Sequence, residues 1–312
     1  MARGSGSGIG WLVLAAVAWG TSGTLGIGLR AASGLQLLPA GGYRILTGGA
    51  LILAFAALTR RLVWPRTASG WRRVVALALA TGLFQVAFFS AIGQVGVAVA
   101  TLVTIGSAPA IVLTLEIATG RHRLSGRLGL ALAATIGGLL LLAGSPPTGV
   151  EPGALVVGIG LALVAGASFA GISLLGANPH PDFDDVTGTG VAFVLGGVAA
   201  LALAATTTPL SFEASPTALG LLLALGLVPS AFAYLAYLRG LRTQSGTTGA
   251  LVALLEPVTA TVLATVVLGE ALTARGSLGA ALLLGAVLLT AWGARSSADP
   301  TPADTMESEL RP

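Results

Sequence analysis

The chain contains no cysteine, and all sixteen of its basic residues are arginine. Without cysteine it can form no disulfide and hold no metal through thiolates. Only 9% of its 312 residues are charged, against about 25% in ordinary soluble proteins. A water-soluble chain of this length is thereby excluded. There are two histidines, His122 and His180, both in predicted loops, and no His-Glu-x-x-His zinc motif occurs. Gly166-Ala167-Ser168 opens like a serine nucleophile turn, but with Phe169 and Ala170 after it the G-x-S-x-G pattern is not completed. Neither an enzyme, a metal nor a cofactor is expected. A channel would need rings of like charge or a multi-subunit filter, and neither is visible. The pI near 10.6 comes from arginines clustered in loops, so it speaks of membrane topology and not of nucleic acid.

What the chain has in quantity is apolar sequence, 54% of all residues. Its organising stretch is Leu251 to Trp292, two long apolar runs around a short turn, Gly269 to Ser277. Each run approaches the roughly 20 residues that cross a ~30 Å hydrocarbon core. The first run carries Glu256 followed by Pro257. A carboxylate at the centre of a membrane helix costs about 2.5–3.5 kcal/mol on insertion scales, which makes function its default reading. Proline has no N–H, so the carbonyl of Ala253 is expected to lose its helical donor. Glu256 would then bind a substrate amine or exchange a proton; the alternative is a protonated acid bonded to a neighbouring helix.

Ten spans are read along the chain: about Ile9–Leu29, Leu37–Leu58, Val74–Ile92, Gly96–Thr119, Leu128–Ala143, Gly153–Gly176, Val186–Ala205, Thr217–Leu238, Gly246–Leu268 and Gly276–Ala294. Ala16-Val17-Ala18 is similar to a signal-peptide cleavage site, but the apolar run continues past it. Shifting by 148 residues lays Pro257 on Pro109, Arg275 on Arg127, Gly285 on Gly137 and Gly196-Gly197 on Gly48-Gly49. This divides the chain into a segment 1–8, a first five-helix repeat 9–143, a linker 144–152, a second repeat 153–294 and a disordered acidic tail 295–312. An odd number of spans per repeat makes the copies inverted, a transporter signature with the solute site near the midplane. With the N-terminus in the cytoplasm, thirteen arginines lie inside, Arg30 and Arg275 lie outside, and Arg44 falls within a span. Both termini are therefore expected to be cytoplasmic.

The steps Leu255-Glu256-Pro257 and Leu268-Gly269-Glu270, the Gly-rich last helix, the weaker counterparts Ala108-Pro109 and Gly120–Leu124, and Tyr43-Arg44 together resemble the EamA-type transporters of the drug/metabolite transporter superfamily. The resemblance covers about Gly10 to Ala294. Where the first repeat of that family commonly has Glu, His122 stands here. The resemblance implies an all-α, multi-pass inner-membrane carrier of small metabolites, often an amino-acid exporter. It also implies that spans 1–4 and 6–9 surround a cavity and that spans 5 and 10 are peripheral. In these last two, Ala133/Gly137 and Ala281/Gly285 are small-residue pairs suited to close packing.

The residues expected to bind substrate are Trp19, Arg44, Gln85, Phe88, Phe169, Tyr234 and Glu256. Arg44 would hold a carboxylate, or else snorkel outward or pair with an acid. Gln85 and Phe88 are three apart and share a face, as do Tyr234 and Tyr237. Polar-tipped aromatics stack on and orient a solute; an interfacial aromatic belt is the alternative, better suited to Tyr237. Trp19 and Phe169 are candidate walls. Glu116 reads as an interfacial acid or a gate ion pair, and Glu270 as a turn residue. Gly20, Gly23 and Gly26 are assigned to packing or bending. The expected function is amino-acid or metabolite export by alternating access, with lipophilic-cation efflux as the alternative. The expected partners are a small-molecule substrate and the lipid bilayer, with a homodimer left open.

Overall fold

The computed structural model describes residues 5–121, 125–143, 150–268 and 273–296. His122, Glu270, residues 144–149 of the linker and the tail from residue 297 lie outside the described residues. Every regular element among those described is helical. They are α1 (Ser5–Gly20), α2 (Ser22–Ser33), α3 (Leu37–Leu58), α4 (Ala68–Ala118), α5 (Gly126–Ala143), α6 (Pro152–Ala177), α7 (Asp185–Ala204) and α8 (Pro216–Gly226). A π-helical turn, Leu227–Phe232, leads into α9 (Ala233–Leu241), followed by α10 (Gly246–Val252), α11 (Leu255–Leu268) and α12 (Ala274–Ser296). α1 begins within the stretch read as a leading segment.

Helix is what such a sequence must form in lipid, where no water satisfies backbone N–H and C=O groups. Polar residues set the starts. Thr67, Asp184, Ser215 and Ser245 each accept the N–H three residues on, filling one of the orphan donors at a helix start. Pro152 and Pro216 open α6 and α8, where a missing N–H costs nothing.

Among the described residues, eight helices are long and apolar enough to cross a membrane, against ten spans read from the sequence. The physical reason is twofold. α4 runs 51 residues because two helices join end to end at Gly96, whose φ of 78° and ψ of 165° no helix contains. α5 is also short, its apolar part being Gly126–Leu142. Large apolar side chains point outward all round the bundle, such as Leu58 at 86% and Val266 at 76% exposure. A surface of this kind needs lipid against it.

The centre is held by α3 on α7, α4 on α6 and α7, and α1 on α9 and α11. Glycines set the approach between α3 and α7. A Cβ on Gly197 would sit 2.7 Å from the Leu46 N, and one on Gly49 2.7 Å from the Val194 N. Gly197→Ala should therefore destabilise the protein by ~1–3 kcal/mol, the usual effect of overpacking, seen as a lower melting temperature in detergent. Gly10→Ala, with nothing within 4 Å of the new Cβ, should leave it unchanged; equal melting of the two variants would contradict the seam. α5 and α12 pack on each other, but their closest approach is not at the predicted pairs, of which Gly137 would bring a Cβ only to within 3.8 Å of Leu282. Their backbones meet at Gly138 and Gly279, where a Cβ would lie 2.9 Å and 2.7 Å from the facing carbonyl oxygens. Gly285 has open space beside it, so the packing face is turned away from the predicted stripe.

One end of the bundle gathers most of the arginine-bearing segments. Asp182 accepts the backbone N–H groups of Arg66 and Thr67 and the Thr67 hydroxyl. These bonds, the hydroxyl first, hold its carboxyl below the ordinary aspartate pKa. The grip is therefore complete at neutral pH and is lost only as the pH falls through that depressed value. Arg242 pairs with Asp185 at 2.9 Å, Arg73 donates to the carbonyls of Leu175 and Asn178, and Arg239 lies over the Trp11 ring. At the far end, Glu213 N–H bonds the Ser33 carbonyl and Tyr43 bonds that of Leu210.

Candidate functional site

Three transmembrane helices are interrupted in the middle of the bundle. The first breaks at Thr21, between α1 and α2, where the Thr21 N–H and hydroxyl both turn back to the Ala18 carbonyl at 3.2 and 2.7 Å. The second carries the π turn, in which the Ser230 hydroxyl donates to the Leu225 carbonyl at 2.9 Å. The third breaks at Ala253-Leu254, between α10 and α11. The Ala253 carbonyl is not left open, contrary to expectation. The Glu256 N–H reaches it at 2.9 Å, tightening the helix into a three-residue turn one step ahead of Pro257.

The first and third breaks touch. A Cβ on Gly20 would lie 3.0 Å from the Glu256 carbonyl and 2.5 Å from Thr259, so glycine is required for this approach. Gly23 and Gly26 have open space beside them and serve no packing contact. Arg44 closes the group from α3. It neither snorkels outward nor pairs with an acid among the described residues. Its Nε donates to Ser230 Oγ at 3.1 Å and an Nη to the Pro229 carbonyl at 3.3 Å. The guanidinium thus occupies the π turn, a device that recurs at functional sites because it disturbs the regular ladder. The Arg44 charge acts on both Tyr234 and Glu256. The Glu256 side chain is half-buried and has no hydrogen bond or ion pair among the described residues.

Aromatic rings wall this junction. Trp19 makes edge contacts with Phe169 at 5.6 Å and Tyr234 at 5.1 Å, and lies 5.0 Å from the Tyr237 ring. Phe193 meets Tyr234 edge-on at 4.7 Å, and Phe84 joins Phe169 to Phe88. Tyr237 is not part of an interfacial belt. It is fully buried, with its hydroxyl 2.7 Å from Ser173 Oγ. Gln85 and Phe88 do not line one surface: Gln85 and Phe89 border Gly41 of α3, while Phe88 packs with Ala91, Val95 and Ala162. Three residues leave about 60° between two side chains on a helix, enough to give them different neighbours.

Two buried polar atoms at the first break, Trp19 Nε1 and Ser22 Oγ, have no hydrogen-bond partner among the described residues. Thr189 Oγ1 on α7 and both amide atoms of Gln85 on α4 are likewise buried with no hydrogen bond among the described residues. Gln85 is only 1% exposed. Each such group costs about 1–3 kcal/mol if nothing meets it, so a water or a solute is the natural partner. Of the seven predicted residues, Trp19, Phe169 and Tyr234 are in mutual or shared contact, Arg44 and Glu256 are electrostatically joined to Tyr234, and Gln85 and Phe88 stand at the margin. Sequence reasoning missed Ser230, Phe193 and Ser22. Pro229-Ser230 inside an apolar span was the signal that could have found the first. Glu116 makes no ion pair among the described residues; it is 5% exposed and bonds the start of α10.

The EamA-like transporter family matches this sequence twice, over residues 6–144 and 156–292. The chain belongs to the EamA-like transporter family. It is a multi-pass membrane protein, and the family is one of transporters. The chain is also 31% identical over 283 residues to "Uncharacterized transporter YwfM" of Bacillus subtilis (strain 168), which covers 90% of this chain and 93% of that protein. A solved crystal structure with 19% identity has the same fold, with a TM-score of 0.79 over 94% of this chain and 99% of the other.

Proposed function

We propose that this transporter is a ten-span carrier built from two inverted five-helix repeats. In this reading it moves amino acids or similar small metabolites out across the inner membrane by alternating access. The observation that carries the reading is the meeting of three broken helices around one basic and one acidic side chain, with unpartnered polar groups and an aromatic wall beside them. A zwitterion fits this set: Arg44 faces the carboxylate, Glu256 the amine, and Trp19, Phe169 and Tyr234 the side chain. The two family matches support the repeats. Counting the segments on either side of Gly96 separately and adding α5 supports the ten spans. Clustering of arginines at one end supports cytoplasmic termini, because positive loops stay inside.

Lipophilic-cation efflux is the second reading, favoured by one observation: the Glu256 side chain is without a partner among the described residues while Arg44 is already engaged. Uptake into inverted vesicles, measured over panels of amino acids and of lipophilic cations, separates the two. Saturable uptake of amino acids is expected; uptake of cations alone would replace the amino-acid reading. Orientation is tested in the cysteine-free chain. Cysteines placed at Ala68 and His122 should label only from the cytoplasmic side, and labelling of His122→Cys from outside would overturn the inversion.

A further inference from the structure

Glu116 is a buried acid that the solute site does not use. It lies in the last turn of α4, in the first half of the chain. Its Oε1 accepts the Gly246 N–H at 2.9 Å, and its Oε2 accepts the Thr247 N–H at 3.3 Å and the Thr247 hydroxyl at 2.6 Å. Ser245 Oγ takes the Thr248 N–H at 3.0 Å, and the Gly249 N–H bonds the Ser245 carbonyl. The first donors of α10 are thus all satisfied, two of them by a carboxylate from the other half. A Cβ on Gly246 would stand 3.1 Å from the Glu116 Oε1, so the approach relies on glycine. α10 and α11 form the same span, so Glu116 grips the base of the helix that carries Glu256.

The surrounding contacts seal the same end. Leu238 and Leu241 close on Gly176, Leu12 closes on Gly240, and Gly8 lies against the Gly240 carbonyl. The repeat then supplies a comparison. The offset that lays Pro257 on Pro109 lays Ala264 on Glu116 and Ala98-Val99 on Gly246-Thr247. The mirrored position at the far end has neither carboxylate nor hydroxyl.

We propose that Glu116 is a positioning residue that latches the arginine-rich end shut, so that the solute site opens to the opposite side in the resting protein. This rests on the inverted-repeat carrier reading. Releasing Glu116 leaves two helix-start donors and a hydroxyl to be met by water, so opening of that end is coupled to its hydration. The polar contacts described at the far end, Tyr43 to the Leu210 carbonyl and the Glu213 N–H to the Ser33 carbonyl, are neutral ones, and the position matching Glu116 is Ala264. The two ends therefore open with unequal ease.

The test uses Ala250→Cys as a reporter in the full, otherwise cysteine-free chain. Ala250 is 1% exposed and lies in α10 behind the latch. Membrane vesicles of both orientations are treated with a membrane-impermeant maleimide, with no solute present. With Glu116 intact, the reporter should react slowly from the arginine-rich face. Glu116→Gln should raise that rate at least ~10-fold, the effect of losing a charge-assisted hydrogen bond, while the rate from the opposite face holds or falls. Thr247→Val, which removes only the hydroxyl bond, should act in the same direction and serves if Glu116→Gln fails to insert. Unchanged rates in both variants, or an equal rise from both faces, would overturn the latch. Because no solute is involved, a wrong substrate class leaves this result standing, whereas His122→Cys labelling from outside would remove the inverted-repeat reading on which the latch rests.

Discussion

Glu256→Gln should lower counterflow of amine-bearing solutes by roughly 10–100-fold, the range set by a lost charge-assisted hydrogen bond of about 1.5–3 kcal/mol. The substitution keeps the shape and removes the charge. Helix geometry should survive it, because the tightened turn before Pro257 uses the Glu256 backbone N–H and not its side chain. The carboxylate has no partner among the described residues, so no existing bond is broken by the change. If Glu256 instead carries a coupling proton, solute binding persists and the pH dependence of transport disappears. Wild-type affinity, rate and pH profile in a well-inserted variant would show that the acid is structural only.

Arg44→Gln should raise KM for zwitterionic amino acids by roughly 10–100-fold on the same scale, and leave any movement of lipophilic cations intact. The guanidinium bonds Ser230 and the Pro229 carbonyl through Nε and one Nη. It is a planar fork with five donors, so donors remain for a carboxylate. Lysine should not restore the loss, because a compact ammonium cannot span the π turn and a carboxylate together. The measurement is concentration-dependent uptake of both solute classes by wild type and variant. A fall in stability with unchanged selectivity would mean that Arg44 only staples the π turn.

Helix placement was legible because it follows from one local rule. A run of apolar residues in lipid must satisfy its own backbone, so α3 runs from Leu37 to Leu58 as the apolar run does. The breaks were legible only in part. Pro257 announced one, yet the turn falls at Ala253-Leu254, because proline disturbs the bonding of the residues that precede it. Thr21 carries no such signal; its break persists because Gly20 lies against Glu256 and Thr259. That Trp19, Phe169 and Tyr234 lie inside apolar spans could be read; that their rings meet could not, since they come from three separate spans. The engagement of Arg44 with Ser230 could not, since it joins residues 186 apart in the chain. The partners of Glu116 could not be read for the same reason: Gly246 and Thr247 are supplied by a distant span. Spacing along one helix foretells shared faces poorly when neighbours decide, as Gln85 and Phe88 illustrate.

The central claim is that a solute binds at the junction of the three broken helices and crosses by alternating access. Counterflow in proteoliposomes tests it most directly. Vesicles holding the purified protein are loaded with an unlabelled amino acid and given a trace of the labelled one outside. Saturable accumulation of label, driven only by the unlabelled pool and strongly reduced in Glu256→Gln and Arg44→Gln, is the expected result. Conductance without counterflow, or counterflow indifferent to both substitutions, would contradict it.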